Sequence, residues 1–345
     1  ARATNEYGWR HSMAFIGIEP VLPAYRVACG RDSLALQSVS TRRGAAWLSW
    51  PGVYRALANL RPDAIVMHSV KTIIPCALYA RRHRVPLLAV EHQANALKRR
   101  SEWLVSGLVM RLASGVVVLT EEYRDQLRDR LGSAWRESKV KVIPSGVDTE
   151  AFSPRPQKDR ASNKIVVGMA ARFANIKYQA VLVDAIALLC GRDGHDAWHL
   201  SLAGDGDTLP ALAQHITKQG LDEVVTLHGN LDEAGMQAWF QELDVYAHAS
   251  AGETLSTSLL QAMAMGLPIV GSAVPGIEGL LAQGDGVGFA VPQSATAFAD
   301  AFTRLRADRD LRQSFGTRAR RLAEDRYSMK AMAVGYAGHL RSCTR

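Results

Sequence analysis

A chain of 345 residues is longer than one ordinary core needs, so two domains are expected. With 48% hydrophobic and 21% charged residues it has the composition of a globular protein, and no apolar run approaches the roughly 20 residues of a membrane-spanning helix. Cys29, Cys76, Cys190 and Cys343 form neither a CxxC pair nor a Cys/His cluster, which excludes a zinc ribbon or finger and fits reduced thiols in a cytoplasmic protein.

In chain order, short apolar runs at 64–68, 87–91, 115–119 and 140–143 read as strands. Amphipathic stretches at 52–59, 72–84, 101–113 and 121–130 read as the helices between them. That spacing predicts βαβ units and a parallel sheet. Residues 153–163, with Pro154, Pro156 and several charges, read as a linker. Beyond it the alternation restarts. Strands are expected at 164–169, 199–203, 224–227, 245–248 and 268–271, with helices at 178–189, 209–218, 236–241 and 257–265. Residues 295–345 are mostly helical in pattern.

Ligands of open α/β sheets bind beyond the carboxyl ends of the strands, so residues directly after strands carry the candidate chemistry. Arg172 follows the strand at 164–169, and Lys177 stands five residues on, near a helix entrance. Two cations beside helix-start amides suit a diphosphate, although a basic pair after a strand also reads as a solvated loop. Asp205 and Asp207 have the spacing of metal ligands, but Gly204 and Gly206 favour a tight turn with the acids as turn and cap residues, and no metal site is expected. In GETLSTSLLQAMAMGLP, residues 252–268, Ser256, Thr257 and Ser258 can cap a helix that Gly266 and Pro268 end. A core helix accounts for most of that segment; Glu253, among small residues at a strand exit, it does not explain. His68 and His92 end two strands of the first sheet, as structural histidines or as part of a site.

The net charge of +8 resides in the first half, where residues 1–150 hold 22 Lys and Arg against 13 Asp and Glu. Arg81, Arg82, Arg84, Lys98, Arg99 and Arg100 form two clusters. A solvated face and attraction to an anionic lipid or an acidic acceptor are both open readings. Nucleic acid is not expected, since few aromatics interleave with these charges.

Together these segments resemble the retaining glycosyltransferases of family four (group 1) with the GT-B fold, from about Arg61 to the end and most strongly between Val142 and Glu278. Ile143-Pro144-Ser145-Gly146-Val147-Asp148 with Phe152 and Pro154 resembles the interdomain signature, with Ser145 in place of the usual Asn. Ala171-Arg172-Phe173 with Lys177 resembles the diphosphate-binding Arg and Lys, and Ala203-Gly204-Asp205-Gly206 a second-domain strand exit. Leu227-His228-Gly229 falls where the family holds the nucleotide base. Glu253 to Pro268 resembles the Glu-x7-Glu block, and Gly276-Ile277-Glu278 the loop after the next strand. Gln261 replaces the second glutamate, which in the family binds the donor ribose; an amide still accepts and donates a hydrogen bond but loses the charge. Residues 1–30 show neither the family's first strand nor its Gly-rich turn, and 5–17 reads as the helix that follows them. The natural chain is therefore expected to have more residues before Ala1.

The resemblance implies two Rossmann-like domains facing a cleft, the first missing its amino-terminal strand. Residues 1–153 with 329–345 form the acceptor side, and 154–328 bind the nucleotide-sugar donor. The helix from about Ser328 returns to the first domain. Arg172, Lys177, Glu253 and His92 are the implied catalytic residues. Gly229, Thr254, Leu255, Ser256, Thr257 and Gln261 bind the donor, a UDP- or GDP-sugar. No cofactor or metal is implied. The acceptor is a saccharide or lipid-linked saccharide of bacterial envelope polysaccharide, and the enzyme is cytoplasmic or peripheral on the inner membrane face. Two alternatives stand beside this reading, a catalytically weak nucleotide-sugar-binding relative and a sugar-nucleotide epimerase on the same fold.

Overall fold

The computed structural model describes residues 8–18, 21, 23–42, 45–92, 98–154 and 164–343. They divide into two compact units, Ala1–Pro144 with Lys330–Arg345, and Ser145–Met329.

The first unit runs β1 (Ser12–Gly17), α1 (Pro23–Arg31), β2 (Ala35–Ser40), α2 (Trp50–Leu60), β3 (Ile65–Met67), α3 (Ile73–His83), β4 (Leu87–Glu91), α4 (Arg100–Leu112), β5 (Gly115–Val118), α5 (Glu121–Leu131) and β6 (Val140–Val142). All its strand pairs are parallel, in the orders β1-β2 and β3-β4-β5-β6. Every residue of β4 and β5 is buried, which is why these strands read as unbroken apolar runs rather than as alternation. Helix ends follow local chemistry. Thr120 Oγ1 accepts from Tyr123 N at 3.1 Å to start α5, and Arg61 ends α2 in the left-handed conformation.

The second unit runs β7 (Ile165–Ala170), α6 (Gln179–Asp193), β8 (Trp198–Ala203), α7 (Leu209–Lys218), β9 (Val225–Leu227), α8 (Glu233–Gln241), β10 (Val245–His248), α9 (Thr257–Ala264), β11 (Ile269–Ser272), α10 (Ile277–Leu281), β12 (Gly288–Val291), α11 (Ala295–Ala307) and α12 (Arg309–Arg326). Its six parallel strands take the order β12-β11-β10-β7-β8-β9. The sheet is covered on both faces. Val245 and Ala247 join the core on one side, with α6 and α11, while Tyr246 joins the core on the other, with α8 and α9. His248 therefore faces the same way as Tyr246, toward α9. The last helix, α13 (Met329–Cys343), returns to the first unit, where Gly115 makes room for it: a Cβ there would lie 2.6 Å from His339 Nε2.

Two expectations are corrected, a helix and a domain boundary. Ser12–Gly17, read as part of a helix over 5–17, is a strand paired in register with Ala35–Ser40 (residues 5–7 lie outside the described ones). Six weakly apolar residues carry no decisive period, and pairing with β2 settles their state. The linker expected at 153–163 falls outside the described residues after Pro154, and the division comes earlier, after Pro144. Residues 145–153 belong to the second unit because Val147 N donates to Tyr327 O at 2.7 Å and both Val147 and Phe152 are buried in its core.

The strand orders of the two units can be compared. In the second, the first strand, β7, is central, between β8 and β10. In the first, the described strands form two separate sheets, β1-β2 and β3-β4-β5-β6.

Candidate active site

The sheet of the second unit changes direction between β7 and β10, because the chain leaves β7 toward β8 on one side and returns to β10 on the other. Loops diverge at such a point and leave room for a ligand beyond the strand ends. Arg172 stands in the loop after β7, a loop tied on both flanks. Ala171 N donates to Ala203 O at 3.0 Å, and Phe173 N to Asp205 O at 2.9 Å. On the other flank Tyr178 N donates to Ala249 O at 3.1 Å, and Ala251 N to Ile176 O at 2.9 Å. Gly204 and Gly206, both at positive φ, press against this loop so closely that a Cβ on either would run into Ala171 O or Phe173 O. Phe173 is buried beneath, and Arg172 stays exposed. The Asp-x-Asp segment is thus the packing partner of the Arg172 loop, with Asp205 Oδ1 accepting from Gly206 N at 2.7 Å, and no three-residue metal-ligand cluster occurs among the described residues.

Lys177 bridges to Ser250, which places its side chain at the exit of β10. There its ammonium contacts Glu253 Oε1. Burial, and behind it the Arg172 charge, push Lys177 down to about 8, while the Glu253 carboxylate in contact opposes that shift. The same Oε1 receives His248 Nε2 at 3.0 Å. A carboxylate only accepts, so Nε2 carries the proton of this bond. Burial, then Lys177, push His248 down to about 3, so the ring is neutral and Nδ1 is its acceptor. Tyr246 OH stands 3.3 Å from Nδ1 and 2.9 Å from Ser258 Oγ, and burial holds the phenol protonated. Ser258 Oγ in turn donates to Ala170 O at 2.7 Å, which ties the start of α9 to the end of β7.

Ser256 is the N-cap of α9, but its hydroxyl meets Ser258 Oγ at 3.1 Å and takes no first-turn amide. The amides at the start of α9 therefore keep their partial positive charge for an anion. Gly276, at φ +85°, lies against the Glu253 carbonyl, and a Cβ there would run into Glu253 O. The Gly276-Ile277-Glu278 turn is thereby part of the wall behind Glu253.

The structure brings Arg172, Lys177, Glu253, Thr254, Leu255, Ser256 and Thr257 to one end of one sheet. Thr254 is buried and its Oγ1 has no hydrogen-bond partner among the described residues. Gln261 lies one turn into α9, half-buried. Gly229, at φ +65° after β9, lends its carbonyl to Gly204 N at 2.7 Å. His92 belongs to the first unit. Its Nε2 donates to His68 O at 3.0 Å, so the two strand-ending histidines are neighbours, and in a neutral ring Nδ1 of His92 is left as an acceptor. Below it, Glu91 is buried with Lys98 at 2.8 Å and Tyr123 OH at 3.2 Å.

Sequence reasoning passed over His248 and Tyr246. The signal was present, since His248 ends a strand as His68 and His92 do, but only the pairing of Tyr246 and His248 on one face of β10 reveals a connected chain of polar atoms.

Two units, each built on parallel strands with helices between them, are the GT-B class of fold. Residues 164–308 match the model of group 1 glycosyl transferases, and residues 20–151 match that of glycosyltransferase family 4. The chain belongs to the group 1 (family 4) glycosyltransferases. An alpha-D-kanosaminyltransferase of Streptomyces kanamyceticus is 29% identical over 66% of this chain and 60% of that protein. A D-inositol 3-phosphate glycosyltransferase of an Arthrobacter species is 31% identical over 40% of this chain and 35% of that one. The chain thus spans less than two thirds of the length of either relative. Among solved structures, HepE of Anabaena in complex with UDP and glucose superposes with a TM-score of 0.79 at 21% identity, covering 95% of this chain and 91% of that one.

Proposed function

We propose that this chain transfers a sugar from a nucleotide-diphosphate sugar, with retention at the anomeric carbon, to a lipid-linked saccharide in the synthesis of bacterial envelope polysaccharide. The observation that carries the reading is the convergence of Arg172, Lys177, Glu253 and the uncapped start of α9 at the switch point of the second sheet. The bond from the anomeric carbon to the diphosphate breaks, and the bond to the acceptor oxygen forms on the same face. The negative charge develops on the leaving diphosphate. Arg172, Lys177 and the α9 amides supply a fixed positive field there, so that the reaction needs no metal. A leaving phosphate oxygen takes the acceptor proton, and Glu253 receives a hydroxyl of the transferred sugar.

HepE was solved with UDP and glucose, and the Arthrobacter relative is named for an inositol phosphate acceptor. The first supports a nucleoside diphosphate donor, and the second an acceptor that carries hydroxyl and phosphate groups. In this reading Gln261 takes the ribose, Gly229 the base, and the second unit the donor. The first unit takes the acceptor, with His92 at the transferred sugar or acceptor hydroxyl. Exposed Leu78 lies one turn from exposed Arg81 and Arg82 on α3, and exposed Leu104 one turn from exposed Arg100 on α4, a pairing of apolar and basic groups suited to an anionic bilayer. No helix among the described residues is long and apolar enough to cross one.

The test is donor turnover by the chain, with nuclear magnetic resonance reading the anomeric configuration of the product. Arg172→Ala and Lys177→Ala serve as controls. If neither change alters turnover or donor binding, the assignment fails.

A further inference from the structure

Lys177 has two partners in the proposed function. In the structure its ammonium is on Glu253 Oε1, yet the same ammonium is assigned to the donor diphosphate. A carboxylate whose counter-charge turns toward a phosphate needs another partner to stay in place. That partner is present. His248, fully buried at the end of β10, donates Nε2–H to the same Oε1 at 3.0 Å, and from inside the sheet it has no route to a phosphate. Among the described residues Glu253 Oε2 takes no hydrogen bond, and the Glu253 side chain remains 16% exposed.

We infer that His248 is the positioning residue of the transfer site, holding Glu253 by Oε1 so that Oε2 stays aimed at a hydroxyl of the transferred sugar when Lys177 moves to the diphosphate. This rests on the nucleotide-sugar reading of the site. The buried histidine is suited to the task. As a neutral ring it adds no charge to compete for the phosphate, and its single Nε2–H fixes which carboxylate oxygen is used. Its ring lies stacked along Tyr246, whose OH donates to Ser258 Oγ of α9 at 2.9 Å. The carboxylate is thereby referenced to the helix whose first amides face the diphosphate. Positional errors of an ångström at such a group are costly to a transfer step.

The experiment compares wild type, His248→Leu, His248→Gln and Tyr246→Phe. Binding of UDP and of GDP is measured by calorimetry, and turnover with UDP-glucose and GDP-mannose is measured in the same preparations. Gln sets an amide N–H near the place of Nε2 and keeps the bond to Glu253, whereas Leu removes it. His248→Leu should bind the nucleoside diphosphate within about twofold of wild type, because Glu253 serves the sugar. Its kcat should fall about tenfold to a hundredfold, the worth of a hydrogen bond to a charged group. His248→Gln should recover kcat to within about threefold, and Tyr246→Phe should fall between the two. Unchanged kcat in His248→Leu overturns the inference, as does equal impairment of His248→Gln. Parallel loss of nucleotide binding and turnover in His248→Leu overturns it too, since that marks a purely structural residue. Wild-type chain that neither binds UDP or GDP nor turns over either donor overturns the functional reading itself, and this inference with it.

Discussion

The ammonium of Lys177 rests on the carboxylate of Glu253, so the cation assigned to the donor diphosphate is paired with the acid assigned to the donor sugar. With both side chains less than a fifth exposed, the pair is shielded from bulk water, and the proposed function has it exchange partners when the donor binds. Glu253→Gln should separate the two roles. It frees Lys177, so UDP should bind as well as to wild type or more tightly. It removes the charged acceptor from the sugar, so turnover should fall about tenfold to a hundredfold. Calorimetry and a turnover assay on one preparation decide it, and lost UDP binding would count against the assignment.

Donor affinity should depend on pH through Lys177. Burial and Arg172 lower its ammonium to about 8 in the free chain, and a bound diphosphate raises it. A group whose pKa rises on binding contributes affinity that is complete below the free-state value and is lost as pH climbs through the bound-state value. Affinity for UDP should therefore be flat below about 8 and decline above it, with proton uptake when the two mix near that pH. Calorimetry in buffers of different ionisation enthalpy reads the proton directly. Affinity that is level from pH 7 to about pH 10 would exclude Lys177 from the phosphate.

Two glycines should prove sensitive for reasons of space. At Gly276 a Cβ would run into Glu253 O, and at Gly204 into Ala171 O, and both have positive φ. Gly276→Ala and Gly204→Ala should each cost about 1–3 kcal/mol of stability, seen in urea unfolding, and depress turnover by shifting Glu253 or the Arg172 loop. Gly220→Ala, with open space around its Cβ, should lose stability through φ strain alone and leave turnover intact.

The first unit should bind anionic vesicles. Co-sedimentation with vesicles containing phosphatidylglycerol should exceed that with neutral phosphatidylcholine, and should fall as salt is raised. Leu104→Asp combined with Arg100→Glu should reduce it while leaving turnover of soluble donor unchanged. Equal binding to both vesicle types would remove the membrane from the account.

Much of this was legible in the sequence, for a physical reason. Strands buried on both faces, such as 87–91 and 115–118, are continuous apolar runs, and their exits carry Arg172, Glu253 and His92 where a parallel sheet puts ligands. What was not legible depends on pairing between distant segments. Ser12–Gly17 is a strand because Ala35–Ser40 lies beside it, not because of its own residues. The division after Pro144 follows from the Val147 amide meeting Tyr327 O, 180 positions away in numbering. His248 looked like the end of a core strand until Tyr246, Ser258 and Glu253 were seen to share atoms with it.

The central claim is that the end of the second sheet binds a nucleotide-diphosphate sugar. A thermal-shift screen with UDP-, GDP- and ADP-sugars addresses it most directly. A donor at about a hundred times its Kd should add about 2.7 kcal/mol of stability, and Arg172→Ala with Lys177→Ala should abolish the shift. No shift with any of the three would contradict the account.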